Sequence, residues 1–135
     1  MKKLAKRLTV IFAAVGLGGL ANSLVVWLFG AYGVTKSLGV RIAPDLSPVW
    51  LYPRLVWGGI WGLLFLLPVF RSSALKRGLL LSLGPTIIQL FVVFPYKADQ
   101  GMMGMGLGAL TPLLVFVFNA IWGITVAIWL RYVGE

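Results

Sequence analysis

The chain contains no cysteine and no histidine, and acidic residues are scarce. Without these two residue types, the sequence excludes disulfides, haem ligation by histidine, ordinary zinc sites and the Ser-His or Cys-His nucleophiles of many hydrolases. The acids are Asp45, Asp99 and Glu135, and none lies within an apolar run. Proton-driven transporters usually carry an ionisable residue inside the membrane, and the apolar runs contain none. We therefore expect no enzyme, no cofactor and no proton-driven transporter.

Charged residues make up only 11% of the 135 residues, whereas 60% are hydrophobic. An average soluble protein has about 25% charged residues, so this balance excludes a soluble domain of this size. The apolar content suffices for about four membrane helices at about 20 residues each. The net charge is +9, but the basic residues flank the apolar runs, as the positive-inside rule requires. We therefore expect the basic residues to interact with a lipid bilayer and not with nucleic acid.

The apolar residues form four continuous runs, which predict membrane spans at about 8–34, 51–70, 76–95 and 106–130 in one integral membrane domain, 1–135. Continuous rather than alternating runs favour helices over barrel strands. The first run is too long for a cleaved signal peptide. The predicted fold is an all-α, four-helix transmembrane bundle, with a short basic link joining the second and third helices as an antiparallel hairpin.

The basic residues predict the orientation of the bundle. Eight lie on the side of the N-terminus and four on the other side. The first set is Lys2, Lys3, Lys6, Arg7, Arg71, Lys76, Arg77 and Arg131, and the second is Lys36, Arg41, Arg54 and Lys97. Because Lys and Arg accumulate on the cytoplasmic side, both termini are predicted to be cytoplasmic. We expect a multi-pass protein of the bacterial cytoplasmic (inner) membrane.

Three amides lie inside apolar runs: Asn22, Gln89 and Asn119. At 1.5 Å per residue, each lies about 17–21 Å from the inner end of its run, so the three define one layer. An amide that faced lipid would have no hydrogen-bond partner, so we expect the layer inside the bundle, with the Trp61 indole at similar depth. Two interpretations stay open: interhelical packing and a polar site for a ligand or ion.

A second candidate site is an outer mouth at the start of the second helix. Arg54 lies there near Trp57, and it either snorkels to the interface or pairs with Asp45 or Asp99. Pairing predicts a tethered outer loop. A pocket for an anionic headgroup is the functional interpretation, since basic residues outnumber acids on this side.

Three methionines, Met102, Met103 and Met105, lie at the start of the fourth run. Thioethers are soft ligands that select Cu(I). Methionine is also an ordinary interfacial apolar residue, and no Cys or His accompanies these three. We therefore predict no metal site and keep the methionines as a soft-metal alternative.

The apolar stretch 55–65, followed by a basic turn and Gly78-Leu79-Leu80, resembles small bacterial inner-membrane proteins with four transmembrane helices. That resemblance implies the four-helix fold and no assigned chemistry. The chain lacks the membrane-embedded Glu of small multidrug transporters and the Gly-Gly-Thr-Thr-Phe-Ser break of small fluoride channels. No functional residue is transferred from any family.

Small residues recur at a spacing of four, which permits close helix packing within the bundle or between two copies. They are Ala14 and Gly18, Gly58 and Gly62, and Asn119, Gly123 and Ala127.

The first functional hypothesis is a non-enzymatic structural or accessory protein, partnered by a second copy or another membrane protein. The alternative is a small-molecule, lipid or ion carrier that uses the amide layer. An enzyme with Asp45 and Asp99 as acid and base comes third. A cavity that reaches the amides favours a carrier, and a solid core with an exposed small-residue seam favours an accessory protein.

Overall fold

The computed structural model describes residues 1–134, and every regular element in that range is helical. The α-helices are α1 (Lys2–Ala31), α2 (Val34–Ser37), α3 (Pro48–Trp61), α4 (Ala74–Ile88) and α5 (Thr111–Tyr132). A 3-10 helix, Gly62–Leu66, continues α3, and a π-helix, Gln89–Lys97, continues α4. A short 3-10 turn, Met102–Gly104, precedes α5.

Four helical segments are long and apolar enough to cross a membrane: Lys2–Ala31, Pro48–Leu66, Ala74–Lys97 and Thr111–Tyr132. The shortest has 19 residues and the longest 30, which correspond to about 28 Å and 45 Å, against a hydrocarbon core of about 30 Å. The predicted all-α fold with four membrane helices is confirmed. The chain is a multi-pass membrane protein.

The bundle has two ends that differ in structure. The loop end is formed by residues 32–47 and 98–110, and the terminal end is where α1 begins and α5 finishes. At the loop end the two loops bind each other, since the Arg41 amide donates to the Leu107 carbonyl at 2.9 Å and the Arg41 guanidinium donates to the Gly106 carbonyl. Because Gly106 and Leu107 belong to this contact and Gly108 lies against Gly39, the fourth helix begins at Thr111 rather than at 106.

Ser47-Pro48 has the pattern of an N-cap followed by proline in the first helical turn, and the second span begins there, a few residues before the predicted start at about 51. The Ser47 hydroxyl accepts a hydrogen bond from the Trp50 amide at 3.3 Å, and Pro48 occupies the first turn, where its missing N–H costs nothing. The helix therefore starts at Pro48 and continues through Pro53. Arg54 is its seventh residue, about 9 Å along the axis, and so lies inside the span.

The third span widens into a π-helix from Gln89 onward. Pro95 has no N–H and its ring collides with the carbonyl four residues earlier, so a regular α-helix cannot continue there. The π-helical hydrogen bonds continue to the end of this segment, where the Ala98 amide donates to the Val93 carbonyl at 2.9 Å. Such turns are frequent at functional sites, and here the π-helix begins at a predicted site residue.

Small residues lie where helices approach most closely. A Cβ on Gly78 in α4 would lie 2.6 Å from the Cα of Ile124 in α5, and a Cβ on Gly18 in α1 would lie 2.9 Å from the Trp122 carbonyl. Gly62 lies against Val15 of α1. These seams are therefore packed inside the bundle. The adjoining core consists of Ile11, Ala14, Val15, Phe65, Leu81, Trp122, Val126, Ala127 and Leu130.

The second and third spans meet near the terminal end and diverge towards the loop end. Leu64 and Trp61 face Gly84, whose added Cβ would lie 2.8 Å and 3.3 Å from them. Phe65 shares the core cluster with Leu81 of α4. Closer to the loop end, α3 packs against α1, and a cavity separates it from α4.

Candidate functional site

The main cavity has a volume of about 570 Å³ and lies between the second and third spans, with α1 and α5 behind it. Its sixteen lining residues are Gly19, Asn22, Pro53, Arg54, Trp57, Gly58, Trp61, Pro85, Ile88, Gln89, Val92, Val93, Tyr96, Lys97, Asn119 and Trp122. Exposed side chains such as Trp57, Val92 and Tyr96 mark its open side, between the two helices. All three predicted amides and Trp61 line this one cavity.

Hydrogen bonds to neighbouring helices hold the amides at the back of the cavity. The Asn119 amide nitrogen donates to the Thr86 hydroxyl at 3.0 Å and to the Gln89 side-chain oxygen at 3.3 Å. The Asn22 amide nitrogen donates to the Phe118 carbonyl at 2.5 Å. The layer thus links α1 to α5 and α5 to the third span. Thr86 was missed from the sequence, although it lies one helical turn before Gln89.

Arg54 extends the amide layer towards the open side. Its Nη2 donates to the Asn22 side-chain oxygen at 2.6 Å and its Nε donates to the Ser23 hydroxyl at 3.1 Å. The guanidinium carbon also lies 4.7 Å from the centre of the Trp50 ring, within the range of a cation–π contact. Within residues 1–134, the partners of this guanidinium are therefore all neutral.

The expected pairing of Arg54 with Asp45 or Asp99 is wrong. Both acids are exposed and neither lines the cavity, so only Arg54 and Trp57 of the predicted outer mouth lie in the site. The reason is the early start of the second span, which places Arg54 about 9 Å into the helix, next to buried polar groups of α1. Serine and asparagine on α1 supply the acceptors that the loops were expected to supply.

Arg54 also corrects the inference that the apolar runs contain no ionisable residue, because it lies inside the second span, Pro48–Leu66. On insertion scales an arginine at the centre of a membrane helix costs about 2.5–3.5 kcal/mol, so its retention near the amides points to a role there. An arginine keeps its proton in proteins, so this correction does not restore proton transport.

The lining carries positive charge that no lining residue offsets. Arg54 and Lys97 are its two cations, and the sixteen residues include no carboxylate. In a low-dielectric site such charge is only weakly screened. The cavity therefore favours an anion over a cation or a neutral polar group.

Two indole N–H groups lie buried beside the site. Trp61 Nε1 and Trp122 Nε1 have no hydrogen-bond acceptor in the described part of the chain. A Cβ on Gly58 would lie 3.2 Å from Trp122 Nε1, so a side chain at this position would crowd the indole. Trp122 was missed from the sequence, although it follows Asn119 by three positions on the same helix.

Two arginines bind the end of the second span below the cavity. Arg77 Nη2 donates to the Phe65 carbonyl at 2.7 Å, and Arg7 Nη2 donates to the Leu66 carbonyl at 3.2 Å. Carbonyls at a helix end need such partners, and Pro68 just beyond cannot donate an N–H. Both arginines were interpreted from the sequence only as orientation signals. They fix the terminal end of the helix that forms one cavity wall.

None of the three methionines lines the cavity, and their surroundings differ. Met103 packs against the apolar cluster of Leu90, Phe94 and Val115, whereas about half of the surface of Met102 and Met105 is exposed. Residues 1–134 also contain no group of three or more Asp, Glu, Cys or His that could hold a metal ion.

The site can bind and orient a polar group, since its lining offers guanidinium, ammonium, amide, indole and phenol donors. It offers no carboxylate, thiol or imidazole to act as a base. No protein-family model, curated protein or solved structure matches the chain, so a functional proposal rests on this geometry.

Proposed function

We propose that the protein is a non-enzymatic binder or carrier of one membrane amphiphile. The polar group of the ligand occupies the cavity at the amide layer, and its acyl chains leave between the second and third spans into the bilayer. The single observation that carries this proposal is a cavity that reaches all three amides and is open between the second and third spans. Its volume of about 570 Å³ lies within the range of about 300–1,000 Å³ that is typical of ligand pockets.

The same observation favours a binder over an accessory protein. An accessory role predicts a solid core and an exposed seam of small residues. Gly18, Gly62 and Gly78 instead lie against other helices of the same chain, while the core contains a cavity lined by polar groups. The small residues are therefore explained by packing within one copy.

We also propose that both termini are cytoplasmic and that the membrane is a bacterial cytoplasmic membrane. The excess of Lys and Arg at the terminal end supports this orientation. The cavity then opens in the outer half of the bilayer. An alkaline phosphatase fused after Leu46 is expected to be active, and one fused after Glu135 is expected to be inactive. The reverse pattern would contradict the proposed orientation.

Filling the cavity tests the binding proposal. Val92 lines the cavity and is 48% exposed, so Val92→Trp places an indole in the open side without disturbing the core. Val56 on α3 is 67% exposed and does not line the cavity, so Val56→Trp is the matched control. The full chain is purified from native membrane in mild detergent, and bound amphiphiles are counted by native mass spectrometry.

The wild type and Val56→Trp are expected to retain one amphiphile per chain, and Val92→Trp to lose about nine-tenths of it. Equal retention by the two tryptophan variants would show that the cavity is not the binding site.

A further inference from the structure

We propose that the ligand's polar group is a phosphate headgroup of net negative charge, and that Arg54 is the residue that recognises it. This inference deepens the proposed function and rests on it, since the cavity must first admit an amphiphile. It names the chemical class of the ligand and the side chain that selects it.

The first step is the charge of the site. Arg54 and Lys97 both line the cavity, and no carboxylate accompanies them there. The hydrogen bonds of Arg54 go to a neutral amide and a neutral hydroxyl, which orient the guanidinium but leave its charge uncompensated. An anion placed in the cavity supplies the missing opposite charge in a low-dielectric setting, where that attraction is strongest.

The second step is the set of available donors. A guanidinium carries five N–H groups, and the two hydrogen bonds of Arg54 use the one on Nε and one of the two on Nη2. Of the remaining three, one on Nη1 and one on Nη2 form the Nη1–Nη2 edge, which can pair in a forked manner with phosphate oxygens. Asn22 and Ser23 hold the adjoining Nε–Nη2 edge, so the group is oriented before the ligand arrives.

The third step distinguishes phosphate from smaller anions. The Gln89 side chain, whose oxygen accepts from Asn119, and the Trp57 indole and Tyr96 hydroxyl add neutral donors around the same space. A phosphate headgroup presents several oxygens to such a distributed donor set, whereas a carboxylate presents two close together. The arrangement therefore fits the larger tetrahedral anion.

Lys97 contributes at the rim. It is exposed at the end of the π-helix, beside Tyr96, and both residues line the cavity. A compact ammonium at the level of the headgroups attracts anionic lipids from the bilayer surface. Lys97 is thus expected to enrich the ligand at the entrance, whereas Arg54 binds it inside.

The test is a competition between two lipids with the same acyl chains. Dioleoyl phosphatidylglycerol has a net negative phosphodiester, and dioleoyl phosphatidylcholine has the same phosphodiester neutralised by choline. The full-length protein in detergent receives equal amounts of both, and native mass spectrometry counts the adducts. The wild type is expected to bind phosphatidylglycerol about tenfold more, and Arg54→Gln to reduce that ratio to about one.

Lys97→Gln is the second variant, because Lys97 is exposed and its loss leaves the fold intact. It is expected to lower the ratio about threefold. Lys36→Gln is the control. It removes the same charge at the loop end from an exposed residue outside the cavity, and the wild-type ratio is expected to persist.

Each outcome decides one of the two proposals. A preference that persists in both Arg54→Gln and Lys97→Gln overturns the anion inference. Equal binding of both lipids by the wild type, with loss in Val92→Trp, also overturns it but leaves the amphiphile binder standing. Displacement of phosphatidylglycerol by millimolar inorganic phosphate keeps the anion site but assigns it to soluble phosphate, which overturns the amphiphile binder.

Discussion

The two walls of the cavity are held in different ways. On one side, the third span packs backbone to backbone on α5 where Gly78 meets Gly123, and 39% of the residues in its most apolar stretch are buried. On the other side, only 11% of the residues in the most apolar stretch of the second span are buried. Arg54 joins this span to polar groups of α1, and arginine hydrogen bonds hold its last carbonyls.

The difference has a physical cause. In lipid, an apolar face gains nothing by leaving the solvent, so close packing and hydrogen bonds decide which helices associate. α4 and α5 associate by close packing of their backbones. The second span packs closely on α1 at Gly62 and is otherwise joined to its neighbours by hydrogen bonds of arginines. The cavity therefore has one closely packed wall and one wall with much less buried surface. We expect an amphiphile to enter by displacing the second span while α1, α4 and α5 stay packed.

The largest effect is expected where the closely packed wall is broken. In Gly78→Ala the new Cβ would lie 2.6 Å from the backbone of Ile124, so the two helices must separate. We expect the free energy of unfolding, measured by titration with SDS, to fall by about 3 kcal/mol. Gly59→Ala is the control, since nothing lies within 4 Å of its added Cβ, and it is expected to match the wild type. Equal stability of the two variants would contradict the close seam.

The fold could be predicted because the membrane imposes simple rules. Continuous apolar runs specify helices, and the Ser47-Pro48 pair specifies where the second one begins. The structure departs from the predicted spans for local reasons. Pro95 widens the third span into a π-helix, and the loop contact between Arg41 and Leu107 moves the start of the fourth span to Thr111. Such contacts depend on which distant segments meet, and spacing along the chain does not encode that.

A smaller effect is expected at the terminal end of the less buried wall. Arg77→Met removes the donor to the Phe65 carbonyl, and a buried hydrogen bond to a charged group contributes about 1.5–3 kcal/mol. We expect amide hydrogen exchange to accelerate in residues 62–66 and to stay slow in α5. Lys76→Met is the control, because Lys76 is the exposed neighbour. Acceleration in α5 to the same extent would mean that the two walls are not independent.

The candidate site was predictable in part. Asn22, Gln89 and Asn119 have to face inward because lipid offers amides no partners, and the structure places all three on one cavity. The hydrogen-bond partners of Arg54 could not be predicted from charge. The sequence shows acids nearby, whereas the buried Asn22 amide comes close to Arg54 only in the tertiary fold. Trp122 was not predictable either, since an apolar run conceals which of its tryptophans faces the site.

The smallest effect on stability, and the sharpest test of the amide layer, is expected at Asn119. Its side chain joins α5 to Thr86 and Gln89 on the third span, a link within the closely packed wall that Gly78 already fastens. Interhelical hydrogen bonds of this kind contribute about 0.6 kcal/mol on average, so Asn119→Leu should shift the SDS unfolding curve only slightly.

If the layer serves a ligand, the same substitution should still reduce amphiphile retention several-fold, because Leu removes the amide that orients the Gln89 side chain on the cavity lining. Asn22→Leu is the comparison, since it also removes an acceptor of the Arg54 guanidinium and should therefore cost more stability. Unchanged retention in Asn119→Leu would mean that Asn119 is a packing residue and that ligand recognition begins at Arg54. Reduced retention with nearly unchanged stability would place Asn119 in the binding site, because a link between helices that are already packed together has little stability to lose.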